Sequence, residues 1–391
     1  MPPDLPRMRR DRHATLQALL KDSGNQALLL LTSGNVMYAG GCWLPAADTS
    51  RGYLARSAAL VVDGEPFPHL FLPDPEQAPA EFPDDYLHPP LWLEDADGVA
   101  DAGQRLRDLL VDSRPMAYDD ATFAMYAHLP EQLAPVPLAP TAGGLLSKAR
   151  LIKTPDELDC MRTSWLITEA ASYAAEQALR PGVRLTELTG VFFRRLFELG
   201  ATCNFLDPVF QIMPRRIADG PWSSNGDVPF ALVTGDHIVR DGDVIWTDTV
   251  CGFEGYASDV GRTWFVGGPS PIQRSLAERW QEITEAVAAA VRPGVTGDML
   301  TKVAIEANGG TKPWLKHYFL GHGLGLEGGE PQRIGSDLGQ AFDESFTLAP
   351  GMAIILEPVT WQDGHAGYRC EELLFVTEDG CERVGHYPHE L

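Results

Sequence analysis

Acidic side chains that border strongly apolar, strand-like segments set the tightest limit on how this chain can fold, because a buried carboxylate is costly unless a cation or a shared proton compensates it. The turn Asp241-Gly242-Asp243 leads into Val244-Ile245-Trp246-Thr247, whose β-forming residues place Asp248 on or at the end of a strand. Asp259 follows eleven residues later. That spacing predicts a hairpin with Gly252 and Gly255 in the turn and Tyr256 to Trp264 returning, so that the two carboxylates lie side by side. The apolar run Met352 to Leu356 predicts a buried strand ending in Glu357, and Arg369-Cys370-Glu371-Glu372 opens another, Leu373 to Val376. His322 stands in Gly321-His322-Gly323-Leu324-Gly325, where flanking glycines leave the imidazole unobstructed. Any one of these acids alone reads better as a solvated strand end or a salt-bridge partner. Four of them with one histidine make an oxygen-rich site with a single nitrogen donor, suited to manganese, iron, cobalt or zinc.

The 391 residues are enough for two domains, each able to bury its own core. The first stretch alternates helix and strand, with a helix over Arg12 to Lys21 and buried strands at Ala27 to Leu31 and Ala58 to Val62, as in a small α/β domain. Proline-rich stretches at Pro66 to Pro90 and Pro130 to Pro140 precede a linker, which divides the chain into 1–147 and 148–391. Thr154-Pro155-Asp156-Glu157 then has the form of a capped helix start, and the helix runs to about Leu179. It stops in Arg180-Pro181-Gly182-Val183, and a second helix from about Gln273 stops in Arg292-Pro293-Gly294-Val295. Each stop is followed by a new helix start, a pattern that fits either two related halves about a pseudo-twofold or two uses of a common helix terminator.

With 31 basic and 54 acidic residues, the net charge of -23 sets the chain's field against phosphate backbones and anionic lipid, so neither nucleic acid nor membrane is an expected partner. No apolar run approaches the roughly 20 residues of a membrane helix, and no signal-peptide pattern follows the N-terminal arginines. Six cysteines without CxxC spacing fit a reducing cytoplasm.

Asp248, Asp259 in SDVGRT, His322 in GHGLGLE, Glu357 in PGMAIILEP and Glu371 in YRCEELLFVTEDG match, in order, the five metal-binding positions of the pita-bread metallohydrolases. The chain resembles that superfamily of methionine aminopeptidase, prolidase, aminopeptidase P and creatinase over about residues 150 to 390, and its N-terminal part resembles the extra α/β domain of the prolidase and creatinase branch. The resemblance implies an α+β fold, two divalent metal ions, a homodimer, and hydrolysis of an amide-like bond by a metal-activated water. It further implies that Asp248 binds one ion, that His322 and Glu357 bind the other, that Asp259 and Glu371 bridge them, and that Glu357 shuttles the proton. Glu371 rather than Glu372 is the ligand by this match, since it stands nine residues before Gly380.

The sequence departs from the peptidases at two histidines that position the peptide. Phe230 and Gly329 occupy those places, with His237 near the first. The departure points to a small, carboxylated, non-standard substrate, with a true Xaa-Pro dipeptidase and a C–S lyase of the dimethylsulfoniopropionate type as alternatives; the lyases' extra carboxylates are missing at Val250 and Gly328. Candidate replacements are His317, Tyr318, Glu327 and Glu330, with Arg369 as a binder of a substrate carboxylate. Arg56 resembles an arginine that this branch supplies from its N-terminal domain. A metal-free creatinase-like enzyme or a binding module of the same fold stands lowest, because all five ligand positions are intact.

Overall fold

A computed structural model of the protein describes residues 2–42, 55–219, 234–316, 318–326, 328–385 and 387. The chain forms two compact units, Met1–Asp156 and Glu157–Leu391.

The first unit runs α1 (Leu5–Ser23), β1 (Ala27–Leu30), α2 (Ser33–Gly40), β2 (Ala58–Val62), β3 (His69–Phe71), β4 (Leu87–His88), α3 (Ala96–Leu109), β5 (Met116–Tyr118), α4 (Phe123–Leu133), β6 (Leu138–Ala139) and α5 (Ala142–Leu151). Its strands form one mixed sheet in the order β4-β3-β2-β1-β5-β6. The two longest apolar segments, β1 and β2, take the centre, paired antiparallel from Ala27↔Val62 to Leu30↔Ala59 and buried throughout. A strand apolar on both faces is stable only with neighbours and cover on either side. Helix α1 starts earlier than the sequence suggests, because Asp4 accepts from the Arg7 amide as N-cap, and it buries Met8, Leu16 and Leu20 along one stripe. The sequence-derived boundary at 147 falls inside α5.

The second unit is opened by α6 (Pro155–Ala178) and α7 (Leu185–Glu198), followed by β7 (Cys203–Asn204), β8 (Val209–Ile212), β9 (Val244–Asp248), β10 (Cys251–Phe253), β11 (Tyr256–Ala257) and β12 (Arg262–Phe265). Then come α8 (Pro271–Ala290), α9 (Gly297–Ala307), β13 (Gly321–Gly325), β14 (Gly328–Ile334), α10 (Gln340–Asp343), β15 (Ala353–Leu356), β16 (Val359–Gln362), β17 (Ala366–Arg369), β18 (Glu372–Val376) and β19 (Cys381–Val384). A capping box of Ser270 and Gln273 starts α8 at Pro271, two residues before the expected position.

The repeated helix stop is structural. Gly182 and Gly294 both take positive φ, 88° and 85°. The Gly182 amide donates to the Val239 carbonyl and the Val239 amide returns to Val183, each at 2.8 Å. The Gly294 amide donates to Leu348 at 2.9 Å and the Leu348 amide returns to Val295 at 2.8 Å. The helices of each pair, α6–α7 and α8–α9, are therefore joined through the same backbone arrangement.

Helices α6 and α7 lay Ala171, Ala175, Leu188 and Phe192 over Phe210, Ile245 and Trp264 of β8, β9 and β12. Helix α8 lays Trp280 edge-on against Tyr368 of β17, with ring centroids 5.6 Å apart. A large side chain of this kind contributes about 1.5–3 kcal/mol by leaving water, so β9 and β17 are each backed by an apolar cluster. Among the described residues no helix is long and apolar enough to cross a membrane.

Candidate metal centre

The hairpin expected between Asp248 and Asp259 is broken into two tiers. Arg262↔Thr247 pairing joins β12 to β9, Gly252↔Ala257 pairing joins β10 to β11, and these belong to different three-stranded sheets. Asp248 ends β9 as predicted, whereas Asp259 lies in the break between β11 and β12 rather than on a returning strand. The break suits a ligand, since a residue free of ladder register can turn its carboxylate towards its neighbour.

Ligand oxygens of Asp248, Asp259 and Glu371 lie within 4.8 Å of one another. His322, on β13, donates from Nδ1 to the Gly323 carbonyl at 2.8 Å, which leaves the Nε2 lone pair as the ligating atom. That Nε2 is 3.2 Å from Asp259 Oδ2 and 3.4 Å from Glu357 Oε1. The five predicted ligands therefore converge as two overlapping groups that share Asp259. Glu372 turns elsewhere, with Arg383 Nε 3.6 Å from its carboxylate.

The other residues of SDVGRT build the frame. A Cβ on Gly261 would stand 2.5 Å from Arg369 Nη1 and 3.0 Å from Glu371 Cδ, so this position must be glycine for the arginine and the carboxylate to meet there. Arg262 donates from Nη1 to the Glu371 carbonyl at 2.8 Å and pairs with Glu169 at 2.9 Å. Thr263 Oγ1 donates to the Arg369 carbonyl at 2.7 Å and accepts its amide at 3.0 Å, which ties β12 to β17.

Arg369 does not have the role the sequence suggested. Its guanidinium is buried under the Trp246 ring, 5.0 Å from the centroid, and is spent on the ligand carboxylates rather than held out to a substrate. Nη2 donates to Glu357 Oε2 at 2.6 Å, to the Tyr318 hydroxyl at 3.0 Å and to Glu371 Oε1, while Nη1 lies 3.4 Å from Asp248 Oδ2. Burial works against its charge and is outweighed by the surrounding Glu371, Tyr318, Glu357 and Asp248.

The acids are held against their preference. Burial first, then the charges of Asp248 and Glu357, raises the Asp259 pKa well above the ordinary aspartate value. Burial likewise raises Glu371 strongly and Asp248 to a lesser degree, against relief from Arg369. Glu357 Oε1 and Glu371 Oε2 are buried and accept no hydrogen bond. Four carboxylates face one guanidinium, and one oxygen of each glutamate is committed to Arg369 while the other has no donor. That arrangement fits two divalent cations, which would supply the missing charge.

Tyr318 meets its expectation of being at the site: its hydroxyl donates to Glu357 Oε2 at 2.7 Å. His317, Glu327 and Phe230 lie outside the described residues. His237 is half-buried and faces Asp243 at 3.9 Å. Glu330 is buried, its side chain against the space a Cβ on Gly325 would fill. Arg56 is buried in the first unit, ion-paired with Glu94 at 3.0 Å and Asp120 at 3.5 Å. Within that unit, its pairing is the bland one.

Arg333, which the sequence did not single out, pairs directly with His322 across β13 and β14 after a register shift. Directly opposed residues share a face of the sheet. A Cβ on Gly329 would lie 3.2 Å from Arg333 Nη2 and 3.6 Å from His322 Nδ1, so the guanidinium occupies the space that the glycine leaves beside the histidine. It stacks over Phe319, 5.1 Å from the centroid, and among the described residues no carboxylate lies within ion-pair distance of it.

Residues 159–378 match the model of metallopeptidase family M24. The chain belongs to that family. It is a metal-dependent hydrolase of the Xaa-Pro peptidase-like kind, and the family's metal dependence is dinuclear. The chain is 29% identical to the uncharacterized peptidase YqhT of Bacillus subtilis over 69% of its own length and 72% of that protein. It is 26% identical to an Xaa-Pro dipeptidase of Lactobacillus helveticus over 96% of its length and 97% of the other's. The solved Xaa-Pro dipeptidase from Bacillus anthracis superposes with a TM-score of 0.75 at 22% identity, covering 98% of this chain and 99% of that one, and shares its pita-bread fold.

Proposed function

We propose that this M24 hydrolase cleaves the amide bond of a small, dipeptide-sized substrate with a free carboxylate, and that Arg333 anchors that carboxylate. The observation that carries the reading is an arginine with no acidic partner among the described residues, directly opposite the metal-binding histidine in the sheet. Guanidinium and carboxylate pair bidentately, which fixes the substrate's direction as well as its position. Gly329 makes room for this anchor where the resemblance places a peptide-positioning histidine, and that exchange favours a carboxylated, non-standard amide over a longer peptide.

Asp248, Asp259, His322, Glu357 and Glu371 would hold two divalent ions, manganese, iron, cobalt or zinc by donor type. Bound there, the ions would polarise the scissile carbonyl and lower the pKa of a water. The protein's own part is to fix the ligands through Arg369, to exclude bulk water with Trp246, Tyr318 and Phe319, and to orient the substrate through Arg333. Glu357 Oε2 accepts from Tyr318 and Arg369, which leaves Oε1 as the oxygen that would face an ion held with His322. The full-length likeness to an Xaa-Pro dipeptidase supports proline dipeptides as the second reading, whereas neither the relatives nor any carboxylate at Val250 or Gly328 supports a lyase. Action in the cytoplasm, supported by six free cysteines, and assembly as a homodimer, implied by the resemblance, belong to the same proposal.

The test is Arg333→Ala assayed against paired substrates, N-acyl amino acids and Xaa-Pro dipeptides, each with a free or an amidated C-terminus. KM for the free acids should rise about a hundredfold, as expected from losing a charge-assisted pair of about 2–3 kcal/mol, with the amides unaffected. Equal effects on acid and amide would refute the anchor.

A further inference from the structure

Glu357 is held asymmetrically, and the asymmetry has an identifiable source. Its Oε2 accepts three hydrogen bonds, from the Tyr318 hydroxyl at 2.7 Å and from Arg369 Nη2 at 2.6 Å and Nε at 3.2 Å. Its Oε1 accepts none and stands 3.4 Å from His322 Nε2. Arg369 divides its donors between this oxygen, Glu371 and Asp248. The Tyr318 hydroxyl is fixed by the packing of its ring. Its ring is stacked on Phe319 with centroids 4.4 Å apart and an interplanar angle of 16°, and it is packed among Met213, Trp246 and Ala366. A hydroxyl on a ring locked by packing defines a fixed point to which a mobile carboxylate must conform.

We propose that Tyr318 is a positioning residue: its hydroxyl commits Oε2 of Glu357 to the protein and thereby reserves Oε1 for the ion held with His322. The arrangement makes one of the two metal positions dependent on a phenol that contacts no ion. Tyr318 stands four residues before the histidine ligand, on the segment leading into β13, so the residue that sets the imidazole's strand also sets the orientation of the glutamate facing it. The group Asp248, Asp259 and Glu371 has its own tie to the protein, through Arg369 to Glu371 and Asp248. The inference rests on His322 and Glu357 being ligands of one ion.

Tyr318→Phe removes the hydroxyl and keeps the ring. Metal-stripped wild type and Y318F are titrated with Mn2+ by calorimetry and with Co2+ by visible absorption, and both are compared in a Glu357→Gln background. In Y318F one of the two affinities should fall about 10–100-fold, the range seen when a residue orienting a metal ligand is removed, while the other is unchanged. The Co2+ spectrum of the weakened site should change, and kcat should fall with KM within about twofold of wild type. In E357Q the added effect of Y318F should vanish, because the group it acts through is gone. The proposal is overturned if Y318F binds both ions as wild type does, or if it weakens binding equally with and without Glu357. The melting temperature of metal-free Y318F, expected within a few degrees of wild type, separates misfolding from misorientation; a variant that is folded yet loses both ions together also overturns it. Loss of the underlying ligand assignment would show separately, as full metal retention by His322→Ala.

Discussion

Gly261→Ala is the smallest change that interrogates the metal centre. The backbone at Gly261 is outside the positive-φ region, so alanine brings no conformational strain there, only a methyl group. That methyl would sit 2.5 Å from Arg369 Nη1, 3.0 Å from Glu371 Cδ and 3.1 Å from Glu371 Oε2. Ordinary contact begins near 3.4 Å, so the guanidinium must retreat by about 1 Å, carrying the Glu357 and Glu371 hydrogen bonds with it. Overpacking of this kind costs about 1–3 kcal/mol of stability, and a displacement of about 1 Å at a reacting centre costs roughly a hundredfold in kcat. Metal content by plasma mass spectrometry and hydrolysis of a substrate panel measure the consequence, with Gly190→Ala as control: it is exposed in α7 and meets nothing within 4 Å. G261A should bind fewer than two ions per chain and lose about two orders of magnitude in kcat, while G190A should match wild type. Wild-type metal content and turnover in G261A would refute the claim that Arg369 and Glu371 are held by fit at this glycine.

Three further outcomes follow from the same geometry. Burial and mutual repulsion hold Asp259 and Glu371 at raised pKa values in the folded state, so their contribution to stability is fully present below the ordinary carboxylate range and is lost as pH rises through the raised values. The melting temperature of metal-free protein should therefore fall from mildly acidic to neutral pH, and saturating Mn2+ should flatten that slope; a flat metal-free profile would contradict it. Thr263→Val strips both hydrogen bonds from the buried Arg369 backbone and should cost about 2–4 kcal/mol in denaturant unfolding, with kcat reduced. Trp280→Ala, on the far side of β17 from the acids, should cost about 3–5 kcal/mol yet leave the turnover of the folded fraction within a few-fold of wild type.

What the sequence made legible was chemistry attached to regular elements. The segments carrying Asp248, Glu357 and Glu371 could be read because a β-forming or apolar run either ends in the acid or starts just after it, so its place follows from strand logic alone. The paired RPGV stops could be read as two equivalent turns because a positive-φ glycine after a helix leaves a fixed signature. Asp259 was singled out but wrongly seated, because continuity of a hairpin is decided by pairing with other strands, and β7 and β8 draw the two tiers into different sheets. Arg369 was assigned to the substrate because an arginine near an acid motif looks available; only the fold shows three acid side chains and a phenol already around it. Arg333 was invisible for a geometric reason. Continuing the ladder from Gly323↔Glu330 would set His322 opposite Pro331, and the register shift moves that place to Arg333. Nothing in the residue types announces a shift of two. The domain boundary near 147 was read from a proline-rich stretch, which marks the approach to α5 and not its end.

The central claim is that five side chains of the second unit hold the two ions on which hydrolysis depends. Ions bound per chain, measured on purified wild type and Asp259→Ala after reconstitution with Mn2+ and removal of excess, test it most directly when the same samples are assayed for release of proline from Xaa-Pro dipeptides and of free amino acid from N-acyl amino acids. Two ions in wild type, with D259A losing at least one and all hydrolysis, is the result expected of a carboxylate shared by both groups of ligands. Full metal content and activity in D259A would contradict the account.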